Sequence, residues 1–119
     1  MYEHTITSYT REDELWAMAE RKNGIMGEES GIERALARQT KKMGGMAVKF
    51  VSPGLDGVPD RIVLLPNRKL AFVELKAPGK KLRALQEKRK GQLEGLGFLV
   101  YVIDGTEQIG GVLDEICAT

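Results

Sequence analysis

Two short apolar runs, Arg61–Leu65 (RIVLL) and Lys69–Lys76 (KLAFVELK), are separated only by Pro66-Asn67-Arg68. A connection this short permits little but a tight reversal, so the runs are predicted to form an antiparallel hairpin. Ala77-Pro78-Gly79 then breaks the chain. From Leu82 to Leu96 the spacing is helical, with Leu82, Leu85, Arg89, Leu93 and Leu96 along one side and Gly97 placed to cap the end. Phe98–Ile103 (FLVYVI) reads as a buried strand. A strand, a long helix and another strand make a crossover, which implies parallel pairing and a helix packed on the sheet. A hairpin and a crossover that share one strand give an α/β fold with a mixed β-sheet flanked by helices.

The remaining segments fit that frame. Met46–Val51 reads as a further strand, closed by Ser52-Pro53-Gly54. Glu29–Met43 is predicted helical, with Ile32, Leu36, Gln39 and Met43 at helical spacing and Gly44-Gly45 as the stop. Thr106–Cys117 is expected to form a last helix with Ile109, Val112, Leu113 and Ile116 inward, and Cys117 in the core. Residues 11–22 suit an amphipathic helix with Leu15, Trp16, Met18 and Ala19 toward the core, ended by Asn23-Gly24. The expected organisation is an N-terminal helical extension over 1–27 and one domain over 28–119.

Composition narrows the function classes. The chain has 119 residues, 42% hydrophobic and 29% charged, which fits one folded domain and argues against disorder. No apolar run approaches the roughly 20 residues needed to span a bilayer, and the polar, acidic N-terminus is not a secretory signal. Cys117 is the only cysteine, so no intrachain disulfide can form and a reducing, cytoplasmic setting is expected. His4 has no cysteine or histidine companion for zinc, and no Gly-x-x-x-x-Gly-Lys-Ser/Thr run offers a nucleotide cofactor site. The net charge is +1, but its distribution is uneven. Residues 1–33 hold three basic and eight acidic side chains, residues 91–119 hold five acidic and no basic ones, and Lys76–Lys90 hold seven basic residues against Glu87 alone. A near-neutral chain therefore carries one strongly positive segment.

Chemistry concentrates at Pro59-Asp60 and, after the hairpin, Glu74-Leu75-Lys76. Taken singly, Pro-Asp is usually a turn and Glu-x-Lys a surface ion pair. Together they meet the needs of phosphodiester hydrolysis, which requires a hard cation to polarise the phosphate and to generate hydroxide near neutral pH. Magnesium takes oxygen ligands, usually one or two carboxylates with waters and substrate phosphate oxygens. Asp60 opens one hairpin strand and Glu74 closes the other, so antiparallel pairing sets them side by side at one edge of the sheet. Alternation points Glu74 and Lys76 to the same face and Leu75 into the core, which leaves the Leu75 carbonyl as a further ligand. Lys76 is then placed to position an attacking water or to stabilise transition-state charge.

Gly57-Val58-Pro59-Asp60, Phe72-Val73-Glu74-Leu75-Lys76 and Gln86 in a basic helix resemble the VRR-NUC branch of the PD-(D/E)xK nuclease superfamily. The approach Lys49–Gly54 and the strand Gly97–Val102 resemble its stand-alone, mainly viral and bacterial members, and the likeness runs from about Glu28 to Asp104. It implies a restriction-endonuclease-like core similar to Holliday-junction resolvases. It implies Asp60 and Glu74 as metal ligands, Lys76 as the catalytic lysine, Gln86 in the active-site motif and a glutamate on the first core helix. Glu29 matches that glutamate and lies on the stripe of Ile32, Leu36 and Met43, with Glu28 and Glu33 as alternatives.

The function expected is a magnesium-dependent DNA endonuclease, with manganese as substitute, acting on branched DNA such as Holliday junctions as a homodimer. Lys80, Lys81, Arg83, Lys88, Arg89 and Lys90 are the expected contacts to the DNA backbone, where counterion release supplies most affinity. The alternatives are an inert DNA-binding module of the same fold and a restriction or repair enzyme acting on duplex. A decayed site would be expected to have lost one of Asp60, Glu74 and Lys76, and a chain this short leaves little for base-reading insertions.

Overall fold

The order of helices and strands follows the apolar periodicity. The computed structural model describes residues 28–119, with side chains from Gly31 onward. The predicted helix over 11–22, with Trp16, lies outside the described residues. Helix α1 (Glu28–Lys42) leads into β1 (Met46–Lys49), β2 (Arg61–Leu65) and β3 (Lys69–Leu75). Helix α2 (Ala84–Gly95) connects β3 to β4 (Leu99–Ile103), and a 3-10 turn at Thr106–Gln108 leads into helix α3 (Ile109–Cys117). The strands lie in the order β1-β2-β3-β4, antiparallel at the first two junctions and parallel between β3 and β4. The hairpin and the crossover therefore both form, on the shared strand β3. The reversal between β2 and β3 places Asn67 and Arg68 in the left-handed region, at φ 66° and 60°. Among the described residues, no helix is long and apolar enough to cross a membrane.

The two faces of the sheet differ. Val63, Leu65, Ala71, Val73, Leu75 and Ile103 turn toward α1 and α3 and pack with Ile32, Ala35, Leu36, Ile109, Val112, Leu113 and Ile116 in one buried cluster. Tyr101 packs against this cluster. Burial, then the nearby Glu115 carboxylate that it hydrogen-bonds, holds its phenol above the usual tyrosine range. Alternation sends Phe72 and Glu74 to the opposite face. There the rings of Phe50, Phe72 and Phe98 form a row with centroids 5.8 and 5.7 Å apart.

Two expectations about packing fail. The leucine side of α2 does not enter a core: Leu85 and Leu96 are exposed, Leu96 at 74%, and the buried residue of this helix is Gln86. The helix begins at Ala84, because Leu82 and Arg83 belong to the approach, with Arg83 in extended conformation as the N-cap. Leu85 instead packs on Gly57, where φ is +84° and a Cβ would stand 2.7 Å from Leu85 Cγ. Cys117 is exposed instead of buried. It sits in the last turn of α3, about 100° round the helix from Ile116 and at the margin of the buried stripe.

Candidate active site

The site lies where β3 and β4 end and β2 begins. The pairing Arg61↔Val73 sets Asp60 and Glu74 one step beyond it, opposite each other. They meet at the ends of central strands, not on an edge strand, since β1 flanks β2 and β4 flanks β3. The Leu75 N–H donates to Asp60 Oδ1 at 3.1 Å, which ties the aspartate to the neighbouring strand. The Asp60 carbonyl accepts the Phe50 N–H at 2.9 Å.

Glu74 is 7% exposed, so its carboxylate is not the open edge group that its strand-end position suggested. A buried carboxylate needs partners. Glu74 Oε2 accepts from Gln86 Nε2 at 3.0 Å and lies 3.4 Å from Lys76 Nζ. Leu75 between them is fully buried in the core, as alternation requires. The Lys76 N–H donates to the Ile103 carbonyl at 2.9 Å, which extends the parallel ladder and holds the lysine beside the glutamate.

Gln86 does two things at once. Its Oε1 accepts the Arg83 N–H at 3.0 Å, one of the donors a helix N-terminus leaves unmet. That bond turns Nε2 toward Glu74. Gly57, Pro59, Glu74, Leu82, Gln86, Lys90, Val100 and Val102 line a small cleft over this point, between α2 and the sheet.

The basic residues divide. Lys80, Lys81 and Arg83 are exposed in the turn between Lys76 and α2, and Lys88 is exposed on α2. Arg89 instead donates to the Asp56 carbonyl at 2.7 Å and to Gln92 Oε1 at 3.0 Å, binding the 52–58 loop to the helix. Lys90 pairs with Glu94 at 3.0 Å. Glu28 and Glu29 lie at the start of α1, with side chains outside those described. Glu33, one turn on, bonds Arg61 Nη2 at 2.7 Å.

Arg61 is not singled out by the sequence, because it stands as the opening residue of an apolar strand. A signal is nevertheless present: with Val63 and Leu65 inward, a period of two sends Arg61 inward as well. Among the described residues, no group of three or more His, Cys, Asp or Glu converges on one point. Among the described residues, Asp60 and Glu74 bring carboxylate oxygens to these adjoining strand ends.

No family model matches the chain. Over 88 residues it is 49% identical to "Putative nuclease p44" of Acyrthosiphon pisum secondary endosymbiont phage 1, covering 74% of this chain and 94% of that protein. Its fold matches a solved "VRR_NUC domain" at a TM-score of 0.71, with 23% identity over 75% of this chain and 97% of the other. The chain therefore belongs to the family of that phage putative nuclease, and it has the fold of the VRR_NUC domain.

Proposed function

We propose that the protein is a divalent-cation-dependent deoxyribonuclease, with Asp60 and Glu74 as the metal-binding carboxylates and Lys76 as the catalytic cation. The observation that carries this reading is Glu74 held between the Gln86 amide and the Lys76 ammonium, across the strand from Asp60. The donor chemistry fits magnesium. Two carboxylates and the Leu75 carbonyl are hard oxygen ligands, and magnesium commonly fills its remaining positions with water and substrate phosphate. A three-carboxylate cage is therefore not required of the described residues. Glu29, from the start of α1, is the further carboxylate in this reading.

When bound, the cation supplies Lewis acidity toward a phosphate oxygen and a nearby water. The chain's own residues do the rest. Gln86 fixes the rotamer of Glu74 by donating to Oε2. Lys76 brings a positive charge to the scissile phosphate, where transition-state charge grows. Lys80, Lys81 and Arg83 stand beside Lys76 in sequence and are exposed to meet the DNA backbone.

Branched DNA is the proposed substrate, cut by a homodimer. One site cuts one strand, a four-way junction is nearly two-fold symmetric, and a two-fold dimer supplies two matched sites. The apolar residues of α3 are buried in the core and offer no surface for that dimer. The open sheet face bearing Met46, Phe98 and, nearby, Leu96 is the better candidate. A cytoplasmic setting accords with the single, exposed thiol of Cys117. Incubation with four-way junction, flap and linear duplex DNA, with magnesium, manganese, calcium or excess EDTA, tests the reading. Cleavage is expected with magnesium or manganese only, and preferentially at junctions. Full activity in EDTA would refute the metal mechanism. A monomer that nicks every substrate equally would refute the dimer and the junction preference.

A further inference from the structure

Arg61 is a charge in a core position. It opens the inward series Arg61, Val63, Leu65 on β2 and is 8% exposed. A buried guanidinium is strongly unfavourable unless its donors are met. They are met from two directions. Nη2 lies 2.7 Å from Glu33 Oε1 on α1, and Nη1 donates to the Asp60 carbonyl at 2.8 Å. Nη1 also stands 3.8 Å from Asp60 Oδ2, too far for a direct hydrogen bond. The other Asp60 oxygen, Oδ1, accepts from the Leu75 N–H. Asp60 is thus held through its carbonyl and Oδ1, and its Oδ2 stands in a 3.8 Å ion pair with the guanidinium, beyond hydrogen-bond range. The short contact on the far side of that guanidinium is Glu33.

We propose that Arg61 is a positioning residue for Asp60, and that Glu33 is not a metal ligand but the anchor that keeps Arg61 from closing on the Asp60 carboxylate. This rests on the reading that Asp60 and Glu74 hold a divalent cation. Without the Glu33 charge, Asp60 is the carboxylate that the described residues leave beside the guanidinium, and the charge-assisted bond that forms there competes with the cation. With Glu33 in place, Arg61 hydrogen-bonds the Asp60 carbonyl and meets its carboxylate only at ion-pair distance.

Glu33→Gln separates these roles. The amide keeps an acceptor oxygen for Arg61 but removes the charge, and at 29% side-chain exposure position 33 tolerates the change. The test is manganese binding to the full-length, DNA-free protein by isothermal titration calorimetry, for wild type, Glu33→Gln, Arg61→Met and the double variant. Glu33→Gln is expected to weaken manganese binding about tenfold, the usual order for groups that orient metal ligands. In the Arg61→Met background the same substitution should change nothing further, because Glu33 acts only through Arg61. In cleavage assays the loss should fall on the magnesium concentration for half-maximal rate more than on turnover at saturating magnesium.

If Glu33→Gln weakens binding equally in both backgrounds, Glu33 is itself a ligand and the proposal is wrong. Unchanged binding in Glu33→Gln also overturns it. Should Arg61→Met fail to fold by circular dichroism, Arg61→Lys replaces it in the cycle. The shorter ammonium cannot bridge Glu33 and the Asp60 carbonyl as a planar fork does, so the two positions should again be coupled. A wild-type protein that binds no manganese and cuts DNA in EDTA defeats the metal reading and this inference together. Wild-type binding with uncoupled variants defeats the inference alone.

Discussion

Replacing Gln86 with alanine removes two bonds that serve different ends. One is the acceptor for the Arg83 N–H at 3.0 Å, which satisfies the N-terminus of α2. Losing a helix-capping acceptor costs about 1 kcal/mol. The other is the donor to Glu74 Oε2 at 3.0 Å, a hydrogen bond to a charged, buried partner. Such bonds contribute about 1.5–3 kcal/mol. The small cleft beside Gln86 opens toward solvent and lets water recover part of this, so a net loss of about 2 kcal/mol is expected. For a domain of this size that corresponds to a fall in Tm of roughly 8 °C. Activity should fall as well, by about 10–100-fold, because Glu74 loses the group that fixes its rotamer while Lys76 remains. Urea unfolding gives the first quantity and cleavage of a labelled junction the second. A Gln86→Ala protein within ~0.5 kcal/mol of wild type, below the capping cost alone, and cutting at the wild-type rate, would refute the double role.

Further outcomes follow from the same geometry. Asp60→Ala and Glu74→Ala should abolish cleavage, and Lys76→Ala should lower turnover by orders of magnitude with DNA affinity nearly kept, as rate and filter-binding measurements will show. Neutralising Lys80, Lys81 and Arg83 together should flatten the log–log salt dependence of DNA binding by about one unit for each phosphate no longer neutralised, and an unchanged slope would mark the turn as a solvated surface. Arg68→Gly should raise stability by roughly 0.5–1 kcal/mol in urea titrations, because a non-glycine side chain at positive φ is strained. The Tyr101 phenol is held above the ordinary range in the fold, so it contributes stability that is present below about pH 10 and lost as pH rises through its titration. Tyr101→Phe should lose less stability than wild type between neutral and strongly alkaline pH in thermal melts.

The parts legible in the sequence are those governed by neighbours along the chain. Three residues between two apolar runs force a hairpin, and a hairpin sets a residue at the start of one strand beside a residue at the end of the other. Asp60 and Glu74 are partners by that rule alone, and alternation adds Lys76 and buries Leu75. A long helix between two strands likewise requires the parallel pairing of β3 with β4. The tertiary structure decided what depends on elements meeting across long separations. The apolar spacing of α2 is genuine, yet whether Leu85 and Leu96 are covered depends on what the rest of the fold lays over them. Gln86 reaches Glu74 only because α2 docks with its N-terminus at the end of β3. Arg61 finds Glu33 only because α1 crosses the sheet above β2. Period and turn chemistry act within a few residues and are written locally. The partner of a buried charge is chosen by packing, and packing exists only once the whole chain has folded.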